Sequence, residues 1–379
     1  MRKRLLIDVN SIVPYFSKGM HSGIGRTTME LLAAMAKEPA LPFDVMLYSQ
    51  NLRGIGGRNL HLPFKNRHVY LRHNYYWDDF VNRHSIRELL TRYDLMHIPH
   101  NYEYVRHPEK CIVTIHDAIF MKQEDSSLGF QHLRRIIPPF ARQCRHIVTC
   151  SESSKADIIE TMDVPPEKVS VVHWGIKHDI FYPQTDKEVV KEKLQNSLGI
   201  QRPYFLAVSC NGGRKRADVL VRSFIRFLSL HDTSLDLVLV WHNPPTGVLH
   251  EVQEKHLTHR IHFLQGLSDT DLASLYNGAT ALFFPSSYEG FGLPILEAMA
   301  CGITVVTCRN SSLSEIGGEV PYYLEEPIED SLIQAMSSFA TSESGLQSHI
   351  DAGIKRASAF TWERAARQMI EIYRELLQV

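Results

Sequence analysis

No stretch of the 379-residue chain approaches the roughly 18 uninterrupted apolar residues a membrane-crossing helix needs, so membrane contact is expected to be peripheral at most. The basic start, Met1 to Arg4, is followed by too few apolar residues before Asp8 and Asn10 to form a secretory leader core, and the chain is expected to stay in the cytoplasm. Cysteine is sparse and unpaired. Cys111, Cys144, Cys150, Cys210, Cys301 and Cys308 show no CxxC and no Cys/His spacing, which argues against a disulfide framework and a zinc site. Charge of one sign is also missing: 41 Lys and Arg stand against 42 Asp and Glu, and nucleic acid is not indicated. Through Asp179 the count is 24 basic to 19 acidic, and afterwards 17 to 23. That asymmetry suits an N-terminal half facing an anionic surface or acceptor, and also falls within ordinary surface variation.

What is present is length enough for two full cores. Short apolar runs at Leu5 to Val9, Val45 to Tyr48, Leu95 to Ile98, Cys111 to Ile115, His146 to Cys150 and Val169 to His173 alternate with helix-compatible segments. This βα rhythm predicts a mainly parallel sheet. The rhythm restarts at Tyr204 to Val208 after a charged passage, Lys177 to Gln201, so the boundary is placed near Ile176, giving domains 1–176 and 177–361. Trp362 to Leu377 carries apolar residues at helical spacing. Two doubly wound α/β domains bind ligands at the carboxyl ends of their strands, and a central cleft is expected there.

The most informative segment is Phe283 to Gly302, FFPSSYEGFGLPILEAMACG, which reads as strand, polar loop, glycine-flanked turn and a helix opened at Pro294. Gly290 and Gly292 let backbone amides approach a ligand at the positive end of the helix, a place for phosphate. Glu289 sits in the loop and Glu297, eight residues on, lies one turn into the helix. Carboxylates accept from sugar hydroxyls and repel phosphate, so the combination fits a sugar nucleotide better than a nucleoside triphosphate.

Glu289-Gly290-Phe291-Gly292-Leu293-Pro294 followed by Glu297-Ala298-Met299-Ala300-Cys301-Gly302 resembles the E-x7-E signature of the family 4 retaining glycosyltransferases. Ser22-Gly23-Ile24-Gly25-Arg26, Thr114-Ile115-His116-Asp117, Cys150 to Ser154, and Trp174-Gly175-Ile176 before Phe181 resemble the same family in the same order, so the likeness spans nearly the whole chain. It implies the GT-B fold, with the C-terminal helix 362–379 returning to an acceptor-side N-terminal domain and a C-terminal donor domain. It implies that Glu289 touches donor-sugar hydroxyls, that Glu297 binds the ribose, and that Gly290, Phe291, Gly292 and Leu293 line the donor; the Phe291 side chain itself is read as structural.

Ser209 to Arg216, SCNGGRKR, is a polar basic loop between a strand and a helix. A departing diphosphate accumulates negative charge, and a metal-free enzyme meets it with fixed cations. Arg214 and Lys215 align with the basic pair of the family, which usually has Gly where Ser209 stands and often Arg where Cys210 stands. His116 follows the strand Cys111 to Ile115 at its carboxyl end, where the resemblance implies a histidine near the donor sugar, and it is assigned to holding a sugar hydroxyl. Gly23 and Gly25 open a helix whose amides can reach donor or acceptor, whereas Thr28 breaks the full GxGxxG pattern and disfavours NAD. Ser268-Asp269-Thr270-Asp271 contains a DxD, read as a helix cap, so no metal or cofactor is expected; Leu267 just ahead takes a nucleobase contact from the resemblance. Leu133 to Cys144 reads as a basic amphipathic helix, kinked or broken at Pro138 and Pro139, suited to anionic lipid or to an ordinary core.

The resulting expectation is a retaining, metal-independent hexosyltransferase. It would move mannose by preference from a nucleotide diphosphate sugar, GDP-mannose or a UDP-sugar, to a glycan or lipid-linked acceptor. A non-catalytic nucleotide-sugar-binding subunit and another GT-B enzyme, such as an epimerase or phosphorylase, are the alternatives.

Overall fold

The computed structural model describes residues 2–12, 23–51, 60–70, 88–89, 91–100, 105–123, 127–341 and 346–379. Within them the chain forms two compact units, one of residues 1–175 with 362–379 and one of residues 176–361. His21 and Ser22 of the early glycine loop lie outside the described residues.

In the first unit the described elements run β1 (Arg4–Asp8), α1 (Gly23–Met35), β2 (Asp44–Asn51), β3 (Lys65–Tyr70), β4 (Leu95–Ile98), β5 (Cys111–Thr114), α2 (Ile119–Lys122), α3 (Leu128–Gln143), β6 (His146–Thr149), α4 (Glu152–Met162) and β7 (Val169–Val171). The strands pair in parallel in the order β3-β2-β1-β4-β5-β6-β7, with Leu5 opposite Val45 on one side and Leu95 on the other. Strands such as LMHI and CIVT are buried at every position, as a sheet covered on both faces requires.

Leu128–Gln143 is one continuous helix, not a broken one. The two prolines withdraw N–H donors from the carbonyls of Arg134 and Arg135, and Arg135 is exposed, where water can replace the lost bond. The apolar stripe of this helix is committed to the core: Ile137, Phe140 and Ala141 are buried there, and Leu133 and Ile136 pack against it. Arg134 donates to the Phe120 carbonyl at 2.5 Å and Arg142 to the Met162 carbonyl at 2.9 Å.

The second unit runs α5 (Lys187–Leu198), β8 (Tyr204–Ala207), α6 (Ala217–Leu230), β9 (Asp236–Val240), α7 (Thr246–Glu254), β10 (Ile261–Leu264), α8 (Asp269–Gly278), β11 (Ala281–Phe284), α9 (Leu293–Ala300), β12 (Thr304–Cys308), α10 (Ser311–Gly317), β13 (Tyr322–Leu324), α11 (Glu329–Thr341) and α12 (Leu346–Ala357). Its sheet, again parallel, has the order β10-β9-β8-β11-β12-β13. Part of the passage that reads as linker in sequence is therefore helical: Asp186 caps α5 by accepting from the Val189 amide, and Gly199 ends it in a left-handed turn at φ 70°. The remaining helix, α13 (Trp362–Leu377), belongs to the first unit and buries Trp362, Ala365, Ala366, Met369, Ile370, Tyr373 and Leu377. Those positions follow the helical period and make one stripe.

Tyr373 ties α13 into the first sheet through its hydroxyl, 2.6 Å from His97 Nδ1, while His97 Nε2 lies 2.8 Å from the Thr114 hydroxyl. Burial holds the His97 imidazole down to about 3, helped by the charges of His100 and His116. A histidine buried neutral has a folded pKa below its unfolded value of 6.5, so protonation favours the unfolded chain. Its contribution is intact above pH 6.5 and falls by about 1.4 kcal/mol per pH unit below it. Melting temperature is therefore expected to drop steeply from pH 6.5 to 5, and His97→Gln should make that slope shallower. An unchanged slope in this variant would remove His97 as the cause.

Candidate functional site

Both sheets reverse their strand order at a switch point, between β1 and β4 in the first unit and between β8 and β11 in the second. The loops that leave the two strands at such a point diverge and open a crevice at their carboxyl ends. In the second unit these are the loops 208–216 and 285–292, the two segments carrying the basic pair and the first motif glutamate.

The loop after β8 turns sharply. Ser209 adopts φ 56°, a left-handed conformation that glycine takes more readily. Cys210 then points into the core beside Phe205 and Leu239, and burial pushes its thiol up to about 12, so it supplies neither cation nor nucleophile. A 3-10 turn, Gly213–Lys215, follows and delivers both cations to the loop after β11. Lys215 Nζ hydrogen-bonds Glu289 Oε1 and lies 4.7 Å from the centre of the Phe284 ring. Arg214 donates to the Tyr288 carbonyl at 3.1 Å and places a guanidinium nitrogen 3.8 Å from Glu289 Oε2. Arg216, by contrast, is exposed, so Arg214 and Lys215 are the cations at Glu289.

The Lys215 and Glu289 side chains are 10% and 8% exposed, which makes their attraction far stronger than that of a surface pair. Burial lowers the Lys215 pKa and the Glu289 carboxylate opposes that fall. The carboxylate loop is held from below by a layer absent from the sequence reading. Ser311 Oγ accepts from the Glu289 amide at 2.9 Å, Ser312 Oγ lies 2.8 Å from the carbonyls of Glu289 and Phe291, and Asn310 donates to the Ser286 carbonyl at 3.1 Å. The polar run Asn310-Ser311-Ser312, one residue beyond the apolar strand β12, is the signal that would have shown it.

Gly290 is buried, and Gly292 caps α9 at φ 109° with Leu293 and Pro294 forming the first helical turn. A Cβ on Gly292 would stand 3.0 Å from Leu313 Cδ2, so this turn fits glycine on both counts. Phe291 is buried, its ring meeting Phe360 edge-on at 6.1 Å. Glu297 is buried one turn into α9 and accepts from the Tyr276 hydroxyl at 3.0 Å. Leu267 is half-buried behind Gly266, which has φ 69°. Ser268 and Asp271 form a reciprocal capping box on α8, while Asp269 and Asp271 pair with Lys177 at 3.1 Å and Lys193 at 3.4 Å. Among the described residues no group of three or more His, Cys, Asp or Glu is arranged to hold a metal.

In the first unit Gly23 and Gly25 begin α1, Gly25 buried and Gly23 exposed. His116 follows β5. Its Nε2 lies 3.3 Å from the Pro99 carbonyl, which can only accept, so Nε2 carries the proton and Nδ1 the lone pair. Burial lowers the imidazole to about 4, against the Pro99 bond that raises it, so the ring is neutral at physiological pH. Its ring centre is 5.9 Å from that of Trp174. The sequence reading missed Asp8, the last residue of β1, and His100, in the loop after β4, which flank the first switch point, Asp8 fully buried and 3.3 Å from His100 Nε2. Polar residues directly after apolar strands were the available signal.

Two family profiles match: "Glycosyltransferase Family 4" over residues 21–180 and "Glycosyl transferases group 1" over 190–356. Among curated relatives, the MMP alpha-(1->4)-mannosyltransferase of Mycolicibacterium hassiacum is 28% identical over 66% of this chain and 58% of its own. The O-antigen chain mannosyltransferase B of Escherichia coli is 26% identical over 71% of both chains, and the RfbU mannosyltransferase of Salmonella typhimurium 29% over about half of each. The chain thus spans from about half to seven tenths of the length of these relatives. In fold it is similar to sucrose-phosphate synthase from Thermosynechococcus elongatus (TM-score 0.77, 18% identity, all of both chains). It is also similar to Anabaena Alr3699/HepE in complex with UDP and glucose (TM-score 0.75, 14% identity, 99% of this chain and 100% of that one). With both of its sheets wound alike and both profiles matched in order, the chain belongs to the family 4, group 1 glycosyltransferases of the GT-B fold.

Proposed function

We propose that the protein is a retaining glycosyltransferase that moves a hexose, mannose by preference, from a nucleotide diphosphate sugar to a hydroxyl of a glycan or lipid-linked acceptor. The observation that carries this reading is the buried Lys215–Glu289 pair with Arg214 beside it, at the switch point and next to the first turn of α9. Cations already fixed in place cost no reorganisation when the sugar leaves and charge builds on the diphosphate. Lys215, Arg214 and the turn amides at Gly290 to Leu293 receive that charge. Glu289 accepts from sugar hydroxyls, and Glu297 from the ribose. The acceptor hydroxyl oxygen bonds the anomeric carbon on the face the diphosphate leaves, as the bond from that carbon to the diphosphate breaks, and its proton passes to the departing diphosphate oxygen. His116, neutral and with a lone pair on Nδ1, accepts a hydrogen bond from a sugar hydroxyl and serves as a positioning group, not as an acid. The mannosyltransferase names of the relatives support mannose, and the engagement of Asp269 and Asp271 with lysines and a helix cap supports a reaction without a DxD-bound metal. Among the described residues no helix is long and apolar enough to cross a membrane.

A thermal-shift panel of GDP-mannose, UDP-glucose, UDP-N-acetylglucosamine, GDP and UDP, with and without EDTA, tests the reading. A ligand that binds the folded state alone at a hundred times its Kd stabilises by about 2.7 kcal/mol. A shift selective for one nucleotide and indifferent to EDTA is expected, with GDP-mannose the largest. No shift with any of them at millimolar concentration overturns the donor site.

A further inference from the structure

Tyr276 stands on α8, outside the segment that carries both motif glutamates, yet its hydroxyl donates to Glu297 Oε2 at 3.0 Å with both residues buried. The tyrosine is itself locked. Its ring meets Phe181 edge-on at 5.9 Å. The segment holding Phe181 is bound to the same helix at three points: Lys177 to Asp269 at 3.1 Å, the Tyr182 carbonyl to Asn277 Nδ2 at 3.1 Å, and the Gln184 amide to Asn277 Oδ1 at 2.7 Å. A phenol fixed in this way presents its O–H from a single place. The last torsion of a glutamate is otherwise broad, so a carboxylate in a ligand site loses freedom on binding unless something has already oriented it.

We infer that Tyr276 is a positioning residue for the nucleotide: its hydroxyl sets the Glu297 carboxylate in the orientation that accepts from the ribose. This rests on the role given to Glu297 above. Tyr276→Phe removes one oxygen and keeps the buried ring, and Tyr204 supplies a matched control, since its buried hydroxyl donates to the Leu275 carbonyl of the same helix at 2.6 Å and not to Glu297. Calorimetric titration of GDP and of UDP into the wild type, Tyr276→Phe, Glu297→Leu, the double variant and Tyr204→Phe separates the possibilities. Tyr276→Phe is expected to raise Kd about tenfold, Glu297→Leu at least as much, and the double variant no further than Glu297→Leu alone. Tyr204→Phe should melt lower and bind as the wild type does. In turnover, Tyr276→Phe should raise the donor KM more than it lowers kcat. Wild-type affinity in Tyr276→Phe, or penalties that add in the double variant, overturns the inference while leaving the role of Glu297 standing. Unchanged affinity in Glu297→Leu overturns that role, and the inference with it.

Discussion

Lys215→Ala is expected to lower kcat at least about a hundredfold with the protein still folded, the loss seen when one fixed donor to a developing anion is removed. The expectation follows from where the ammonium sits. It is enclosed by the Phe284 ring and Glu289, and so is aimed before any ligand arrives. Because its charge acts on the leaving diphosphate as the bond breaks, kcat should fall more than KM rises. Melting temperature should drop as well, since Glu289 keeps only the more distant Arg214 guanidinium as a cationic partner among the described contacts. Steady-state kinetics with the donor found in the thermal-shift panel checks this, and a kcat within tenfold of wild type would remove Lys215 from the reaction.

Glu289→Gln is expected to cost about as much, and to leave a second mark. Burial depresses the Lys215 pKa, and the Glu289 charge is the largest influence that raises it again. With a neutral amide in that place the lysine loses its proton at lower pH. Activity that depends on the ammonium is present below its pKa and lost above it, so the alkaline limb of the pH–rate profile should move to lower pH in this variant. A profile of unchanged shape, lowered uniformly, would show that Glu289 acts on the sugar alone.

The parts legible in sequence are those whose signal is local. Strands such as Phe205-Leu206 and Leu282-Phe283 are continuous apolar runs, and the E-x7-E segment places loop, glycine turn and helix start within twenty residues. Strand β3, Lys-Asn-Arg-His-Val-Tyr, lies at a sheet edge and has no such run, and β13 is only three residues at the other unit's edge. Helix α5 buries only Val190 and Leu194, too narrow a stripe to stand out among its charges. Pro138 and Pro139 in α3 read as a kink or a break, and tertiary packing on the Ile137 and Phe140 face holds the helix continuous across them. Motif membership gave Glu297 a role but not its partner, because the Tyr276 bond joins residues 21 apart on two helices, and the Lys215–Glu289 contact spans 74. No periodicity reports such pairs.

The return of α13 to the first unit bears on the order in which the polypeptide gains its structure during synthesis. Tyr373 and Trp362 fill places in the core of residues 1–175, Tyr373 at His97 and Trp362 stacked on Trp174 at 6.0 Å. The ribosome makes all of residues 176–361 before it reaches them, which at about 5–20 residues per second takes on the order of ten seconds or more. By the end of that interval the second unit has every residue it needs, whereas the first has waited throughout with an uncovered apolar seam. A nascent chain is therefore most exposed to aggregation and to chaperone capture on its earliest-made sheet.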